Sequence, residues 1–180
     1  TQTNIFGTYN GSRTALRHFT AQRSGKLINV LGDGYSKPLP WQTPYGASKS
    51  WVYAFTMALA VETKASGVGV FAFAPGLVLT DLITHVEVIA GVEGRMKVFP
   101  TIVRMFAKPP EVAAQKAVWI ASEATDGKTG MVIRASSLGR MLRGALKEGL
   151  RVLMKKPAPD LGFEIKVIPS DSETPHPTSL

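Results

Sequence analysis

Cysteine is absent from all 180 residues of the chain. This absence excludes disulfide bonds, thiolate metal ligands and a cysteine nucleophile, and we expect a cytoplasmic protein. Long apolar runs are also missing, since none approaches the ~18 residues of a membrane span. The first residues, Thr1-Gln2-Thr3-Asn4, show neither an initiator methionine nor an apolar signal-peptide core. We therefore expect the chain to begin inside a longer protein.

Acidic residues are few: 13 Asp and Glu oppose 21 Lys and Arg, which leaves a net charge of +8. Such a balance is compatible with nucleic acid, an anionic membrane surface or anionic ligands. Much of the charge lies in one stretch, Arg140 to Lys156, and no zinc-finger, RNA-binding or helix-turn-helix pattern accompanies it. We therefore expect no nucleic-acid binding. We also expect no metal site, because His18, His85 and His176 lack ligand spacing.

Helical and strand-like segments alternate along the first 135 residues. The predicted helices are Asn4 to Phe19, Tyr45 to Ser66 and Pro109 to about Ala124. The predicted strands are Lys26 to Leu31, Gly69 to Ala74 and Met131 to Arg134. Short apolar strands that alternate with helices are typical of an α/β fold with a parallel sheet buried on both faces.

Three further segments have different patterns. Residues from about 80 to 108 have weak helical periodicity and predict a mobile, partly helical insertion. Residues 136–156 hold an amphipathic basic helix, Arg140 to Lys156. We favour an ordinary packed helix there over one that contacts a membrane surface or another subunit. The tail, 157–180, is predicted to be extended or disordered, with a possible strand from Phe163 to Ile168.

The informative segment for chemistry is Tyr45-Gly46-Ala47-Ser48-Lys49. A tyrosine and a lysine four residues apart lie on one face of a helix, one turn from each other. A phenol with a pKa near 10 is a poor acid or base at neutral pH, but a neighbouring ammonium lowers that pKa. The pair therefore predicts general acid/base chemistry on a carbonyl or alcohol. The alternative is an amphipathic helix with a surface lysine.

Four segments, in this order, resemble the short-chain dehydrogenase/reductase family over about residues 1–134. The segment from Tyr45 to Lys49 matches the family's Tyr-x-x-Ser-Lys motif. Asn4-Ile5-Phe6-Gly7 matches its Asn-x-x-Gly, forty-one positions before Tyr45 as in the family. Ala74-Pro75-Gly76-Leu77-Val78-Leu79-Thr80 matches Pro-Gly-x-Val-x-Thr, and Thr129-Gly130 matches the beginning of the last strand.

The resemblance implies a doubly wound parallel sheet (Rossmann-like), present here as the later α/β units only. It implies that Tyr45 transfers the proton, that Lys49 lowers the Tyr45 pKa and holds the nicotinamide ribose, and that Asn4 anchors a proton-relay water. Without the family, Asn4 would be read as a helix N-cap. For the cofactor, NAD or NADP, the implied contacts are Tyr45, Lys49, Pro75, Gly76, Val78 and Thr80.

Two departures from the family pattern affect the function. Gly32 stands thirteen positions before Tyr45, where the family has a serine that holds the substrate oxygen. A serine there would restore that donor, so on the sequence alone we expect Gly32→Ser to raise activity. The glycine-rich phosphate loop is also absent, since Gly32-Asp33-Gly34 and Gly67-Val68-Gly69 lack its third glycine and its position. We therefore expect these residues alone to bind the dinucleotide poorly.

The resemblance as a whole implies hydride transfer between NAD(P) and an alcohol or carbonyl substrate in a homo-oligomeric enzyme. Residues 80–108 would form the substrate lid, and the apolar residues there favour an apolar substrate: Ile83, Val86, Val88, Ile89, Val98, Phe99, Met105 and Phe106. Gly32 keeps open an alternative of another class, a catalytically impaired binding or scaffold protein.

Overall fold

The computed structural model describes residues 2–91 and 93–169. The helices are α1 Thr8–Gln22, α2 Thr43–Glu62, α3 Asp81–Thr84, α4 Phe99–Phe106, α5 Pro110–Ala121 and α6 Leu138–Leu153. The strands are β1 Gly25–Val30, β2 Val68–Ala74, β3 His85–Ile89, β4 Met131–Arg134 and β5 Glu164–Ile168. A π-helical turn, Thr3–Gly7, precedes α1, and 3₁₀ turns span Glu93–Val98 and Glu123–Thr125.

The described residues divide into two compact units. The first unit runs to Gly76 and resumes over Glu111–Ser136. It contains a parallel sheet in the order β1-β2-β4, in which Gly25 pairs with Val68 and Ala74 pairs with Arg134. The predicted α/β fold with a parallel sheet is confirmed, and each predicted strand agrees with the observed one to within one residue at either end.

The sheet of the first unit is buried on both faces. Val70, Phe71 and Ala72 of β2 are fully buried, although successive side chains of a strand point to opposite faces. Helices α1 and α2 cover one face, where Leu16 and Ala60 pack with Leu27. A buried stripe at four-residue spacing, Ser48, Val52, Thr56 and Ala60, turns α2 toward the sheet. This stripe therefore determines which residues of α2 remain accessible.

The second unit comprises Leu77–Pro110 and the described residues from Ser137 onward. In it β3 pairs with β5 in parallel, from His85 with Glu164 to Ile89 with Ile168. The mobile, partly helical insertion predicted for residues 80–108 missed strand β3, because an alternation of only five residues is too short to distinguish a strand from a helix. The possible strand from Phe163 to Ile168 is confirmed as β5, and residues 170–180 of the predicted tail lie outside the described residues.

Helix α6 corrects one prediction. The sequence favours an ordinary packed helix for this segment, but its regularly spaced leucines, Leu142, Leu146, Leu150 and Leu153, are exposed. The packed face instead holds Gly144 and the buried Glu148. A Cβ on Gly144 would overlap the carbonyl oxygen of Met105 in α4, so the two helices approach closely there. Among the described residues, no helix has the length and apolar content needed to cross a membrane.

Candidate functional site

Tyr45 and Lys49 lie in the first turns of α2, just after the carboxyl end of β1. The helix begins at Thr43 with Pro44 in its first turn, a position where a missing N–H costs nothing. The buried stripe that includes Ser48 turns toward the sheet, and Tyr45 and Lys49 flank that stripe one helical turn apart. As a result both reactive side chains remain partly accessible at the carboxyl edge of the sheet.

The Lys49 ammonium lies between the Tyr45 ring and the end of β1. Its Nζ donates a hydrogen bond to the Val30 carbonyl oxygen at 3.2 Å and lies 5.8 Å from the centroid of the Tyr45 ring. Burial lowers the Lys49 pKa below its ordinary value. The lysine is therefore held beside the phenol by the backbone of the neighbouring strand.

The Tyr45 hydroxyl has a pKa above, not below, its ordinary value. Partial burial is the larger cause, and the negative charge of Asp33 raises the pKa further. The net shift of the Tyr45 pKa is therefore opposite in direction to the lowering that the resemblance implies. The physical reason is that burial and Asp33 both penalise the phenolate, while Lys49 is engaged with Val30.

Gly32 forms the surface against which the Tyr45 hydroxyl packs. A Cβ built on Gly32 would overlap the Tyr45 Oη and would lie 3.2 Å from the Lys49 Cε. The Gly32 backbone does not have a positive φ, so a side chain there is opposed by Tyr45 and not by backbone strain. The Tyr45 hydroxyl thus fills the space that the side chain of a serine at position 32 would need.

Asn4, in the π-helical turn Thr3–Gly7, contacts α2. Its Nδ2 donates to the Ser48 Oγ at 2.9 Å, and the Ser48 Oγ donates to the Tyr45 carbonyl oxygen at 2.7 Å. The N-cap interpretation of Asn4 is wrong, because Asn4 lies inside the π-helical turn and Gly7 precedes α1. Ser48 was missing from the predicted site residues, although the Tyr-x-x-Ser-Lys pattern marks its position. A π-helical turn is common at functional sites.

Four of the six residues predicted to contact the cofactor fall in different units. Pro75 and Gly76 follow β2 in the first unit, where Gly76 has φ +69°. Val78 and Thr80 belong to the second unit, where Val78 bridges to Lys108 and the Thr80 hydroxyl donates to the Val78 carbonyl oxygen at 3.5 Å. The cofactor roles of all four remain predictions.

The residues of the first unit fit one end of a dinucleotide. Lys49 is a cationic donor and Tyr45 a hydroxyl donor, both at the carboxyl edge of a parallel sheet, where α/β proteins bind nucleotides. Within residues 2–91 and 93–169, no group of three or more His, Asp or Glu side chains is arranged to hold a metal.

Tyr45 and Lys49 thus lie together on one helix at the carboxyl edge of a parallel α/β sheet, as in a Rossmann-like fold. Residues 1–88 match the model of the short chain dehydrogenase family, and this part of the chain belongs to that family.

Two relatives and one solved structure show how far the likeness extends. The chain is 30% identical over 131 residues to glucose 1-dehydrogenase 2 of Bacillus subtilis, covering 72% of this chain and 50% of the relative. It is 32% identical over 131 residues to 3beta-hydroxysteroid dehydrogenase 1 of Eggerthella lenta, covering 72% and 49%. A chain from Beutenbergia cavernae, solved with NADP bound at low occupancy, is 26% identical with a TM-score of 0.58, covering 78% and 55%. The chain thus spans about half the length of the proteins it matches.

Proposed function

We propose that this chain forms the catalytic part of an NAD(P)-dependent oxidoreductase that interconverts an alcohol and a carbonyl compound, with Tyr45 as the acid/base. The observation that carries the proposal is the meeting of Tyr45, Lys49 and the Asn4–Ser48 hydrogen bond at the carboxyl edge of the sheet. The family assignment of residues 1–88 supports the same chemistry.

In the proposed reaction the nicotinamide supplies or accepts the hydride. The Tyr45 hydroxyl donates its proton to the carbonyl oxygen during reduction and takes it back during oxidation. Because the pKa of Tyr45 is raised, the hydroxyl is protonated at neutral pH. The protonated hydroxyl is the form that donates the proton in carbonyl reduction.

The other residues of the site orient Tyr45 or carry charge. Lys49, held by the Val30 carbonyl, places a positive charge beside the phenol, where it would favour the phenolate formed during reduction. Asn4 fixes Ser48, and Ser48 fixes the first turn of α2 through the Tyr45 carbonyl. We propose that Lys49 and Tyr45 also bind the nicotinamide ribose, in keeping with the NADP-bound chain from Beutenbergia cavernae.

We propose an apolar alcohol or ketone as the substrate. Leu82, Ile89, Val98 and Ile102 lie in or beside the proposed lid segment, residues 80–108, and are exposed. Exposed apolar residues of this kind suit a segment that covers an apolar ligand. The named activities of the relatives range from a sugar to a steroid, so the substrate class rests on this chain's own residues.

Gly32 favours a second candidate, a fold relative that binds without turnover. Without a side chain at that position, no hydroxyl from residue 32 can hold the substrate oxygen. The Tyr45–Lys49 pair on α2 and the contact of Asn4 with that helix favour the enzyme.

Hydride transfer by the full chain discriminates between the two candidates. The assay follows NADH and NADPH oxidation with a series of ketones that runs from small and polar to large and apolar. We expect turnover that increases with the apolar area of the ketone. Dinucleotide binding without turnover of any ketone, or of the matching alcohols with the oxidised cofactors, would favour the scaffold candidate.

We also propose a homo-oligomer. Helices α1 and α2 border an open, largely apolar groove of about 660 Å³ that includes Tyr9, Leu16, Phe55 and Leu59. Apolar surface of this kind on a helix pair suits association of like subunits. Light scattering after gel filtration measures the mass directly, and a monomer at all concentrations would contradict this part of the proposal.

A further inference from the structure

Helix α6 presents its leucines to solvent. Leu138, Leu142, Leu146, Leu150 and Leu153 are each between 48% and 78% exposed. At 100° per residue these five side chains fall within an arc of about 120° along the helix. Single exposed leucines are ordinary, but a continuous stripe along four turns marks an interaction surface.

The opposite face of α6 is polar and already packed. Glu148 is buried and accepts hydrogen bonds from Arg104 of α4 at 2.9 Å and from Arg151 at 2.8 Å. These two guanidinium groups hold the pKa of the Glu148 carboxyl at about 2. The helix is thus anchored through its polar face, and rotation of the leucines inward would break this network.

The exposed charged residues of α6 beside the leucine stripe are all positive. Arg140, Arg143 and Lys147 project at about 140–200° around the helix axis, next to the leucine arc. Glu148 is the acidic residue of α6, and it is buried and paired. A basic face that borders an apolar stripe complements the surface of an anionic lipid bilayer. Its headgroups carry negative charge, and its acyl chains lie directly below them.

A second copy of the chain matches this surface poorly. Two α6 faces placed against each other would bring Arg140, Arg143 and Lys147 of both copies together, and like charges at an interface are costly.

The length of α6, 16 residues, is short of the ~20 needed to span a bilayer. The helix suits a position parallel to the membrane plane.

We propose that α6 docks on an anionic lipid membrane, with the five leucines inserted among the acyl chains and Arg140, Arg143 and Lys147 at the lipid phosphates and carboxylates. This inference rests on the exposure and charge of α6 and not on the proposed reaction.

Flotation of the full chain with lipid vesicles tests the leucines. We expect the chain to float with vesicles of phosphatidylcholine and phosphatidylserine and to float much less with phosphatidylcholine alone. The variant L142Q/L146Q should bind at least about tenfold more weakly, because two apolar side chains leave the interface. The matched control V61Q/V118Q changes two equally exposed valines of α2 and α5 and should bind like the wild type.

The charge component has its own variant and control. R143Q/K147Q should weaken binding to the anionic vesicles about thirtyfold, since each cation contributes ~1 kcal/mol near such a surface. K64Q/K128Q, which removes two exposed lysines of the first unit, should leave binding unchanged. Thermal melting confirms that the compared variants are folded.

Each of the following outcomes would overturn the proposal. The first is no flotation of the wild type with anionic vesicles. The second is equal flotation of L142Q/L146Q and wild type, or equal flotation with neutral and anionic vesicles. The third is a dimer that is lost in L142Q/L146Q without any vesicle binding, which would assign the leucine stripe to self-association.

Discussion

At the scale of single residues, the contact between Gly32 and Tyr45 defines the site. The tyrosine hydroxyl occupies the volume that a side chain at position 32 would need. The absence of that side chain is therefore not simply a lost hydrogen-bond donor, because it also permits the observed position of the proposed acid/base.

This packing reverses the expectation for Gly32→Ser. The sequence pattern alone favours a gain of activity from the restored donor, but the new Cβ must displace the Tyr45 hydroxyl. We expect Gly32→Ser to lower kcat for ketone reduction, because the acid is moved from its position. Gly32→Ala adds the same Cβ without the hydroxyl and should lower kcat at least as much. A Gly32→Ser activity above that of the wild type would show that Tyr45 relocates without loss.

Asp33 provides a test of the electrostatics at Tyr45. Its negative charge raises the Tyr45 pKa, so Asp33→Asn should move that pKa downward. For ketone reduction, which needs the protonated hydroxyl, the loss of rate on the alkaline side should begin at a lower pH. For alcohol oxidation the rise in rate should shift in the same direction. The pH profiles of kcat/KM for ketone reduction and for alcohol oxidation measure the two shifts. If neither profile shifts in Asp33→Asn, the charge of Asp33 does not affect the Tyr45 pKa.

At the scale of elements, the close approach of α4 and α6 depends on one glycine. A Cβ on Gly144 would overlap the Met105 carbonyl oxygen, and backbone cannot rotate away as a side chain does. We expect Gly144→Ala to destabilise the protein by about 1–3 kcal/mol, the usual cost of overpacking. Denaturant unfolding measures the change.

Gly149 is the matched control on the same helix. A Cβ there meets nothing within 4 Å, and its φ is not positive. Gly149→Ala should therefore stabilise the protein by about 0.5–1 kcal/mol, the helix-propensity gain. Equal effects of the two substitutions would contradict the close helix contact at Gly144.

Some elements were predictable from the sequence because their signals are local. Short apolar runs predicted β1, β2 and β4, and the spacing of Tyr45 and Lys49 predicted their common helix face. The exposed strand β3 and the outward leucines of α6 were not predictable, because both depend on tertiary partners. Glu148 illustrates this, because one of its two partners, Arg104, lies on another helix and cannot be read from the sequence of α6.

At the scale of the whole molecule, the chain has the residues proposed to bind one end of a dinucleotide. Its sequence has the Tyr–Lys pair but no glycine-rich phosphate loop at a strand-to-helix turn. We expect titration of the full chain with NADH or NADPH to show weak binding, because the pyrophosphate lacks its usual backbone donors. A micromolar dissociation constant would contradict this expectation and would require another phosphate site.

The most direct test of the central claim is ketone reduction by Tyr45→Phe, compared with the wild type at high dinucleotide concentration. The substitution removes the hydroxyl of a partly exposed side chain and leaves the ring, so the fold and melting temperature should not change. Because a general acid contributes roughly 10²-fold or more, we expect turnover to fall by at least that factor. A folded Tyr45→Phe protein that keeps more than about a tenth of the wild-type rate would contradict the assignment of Tyr45 as the acid/base.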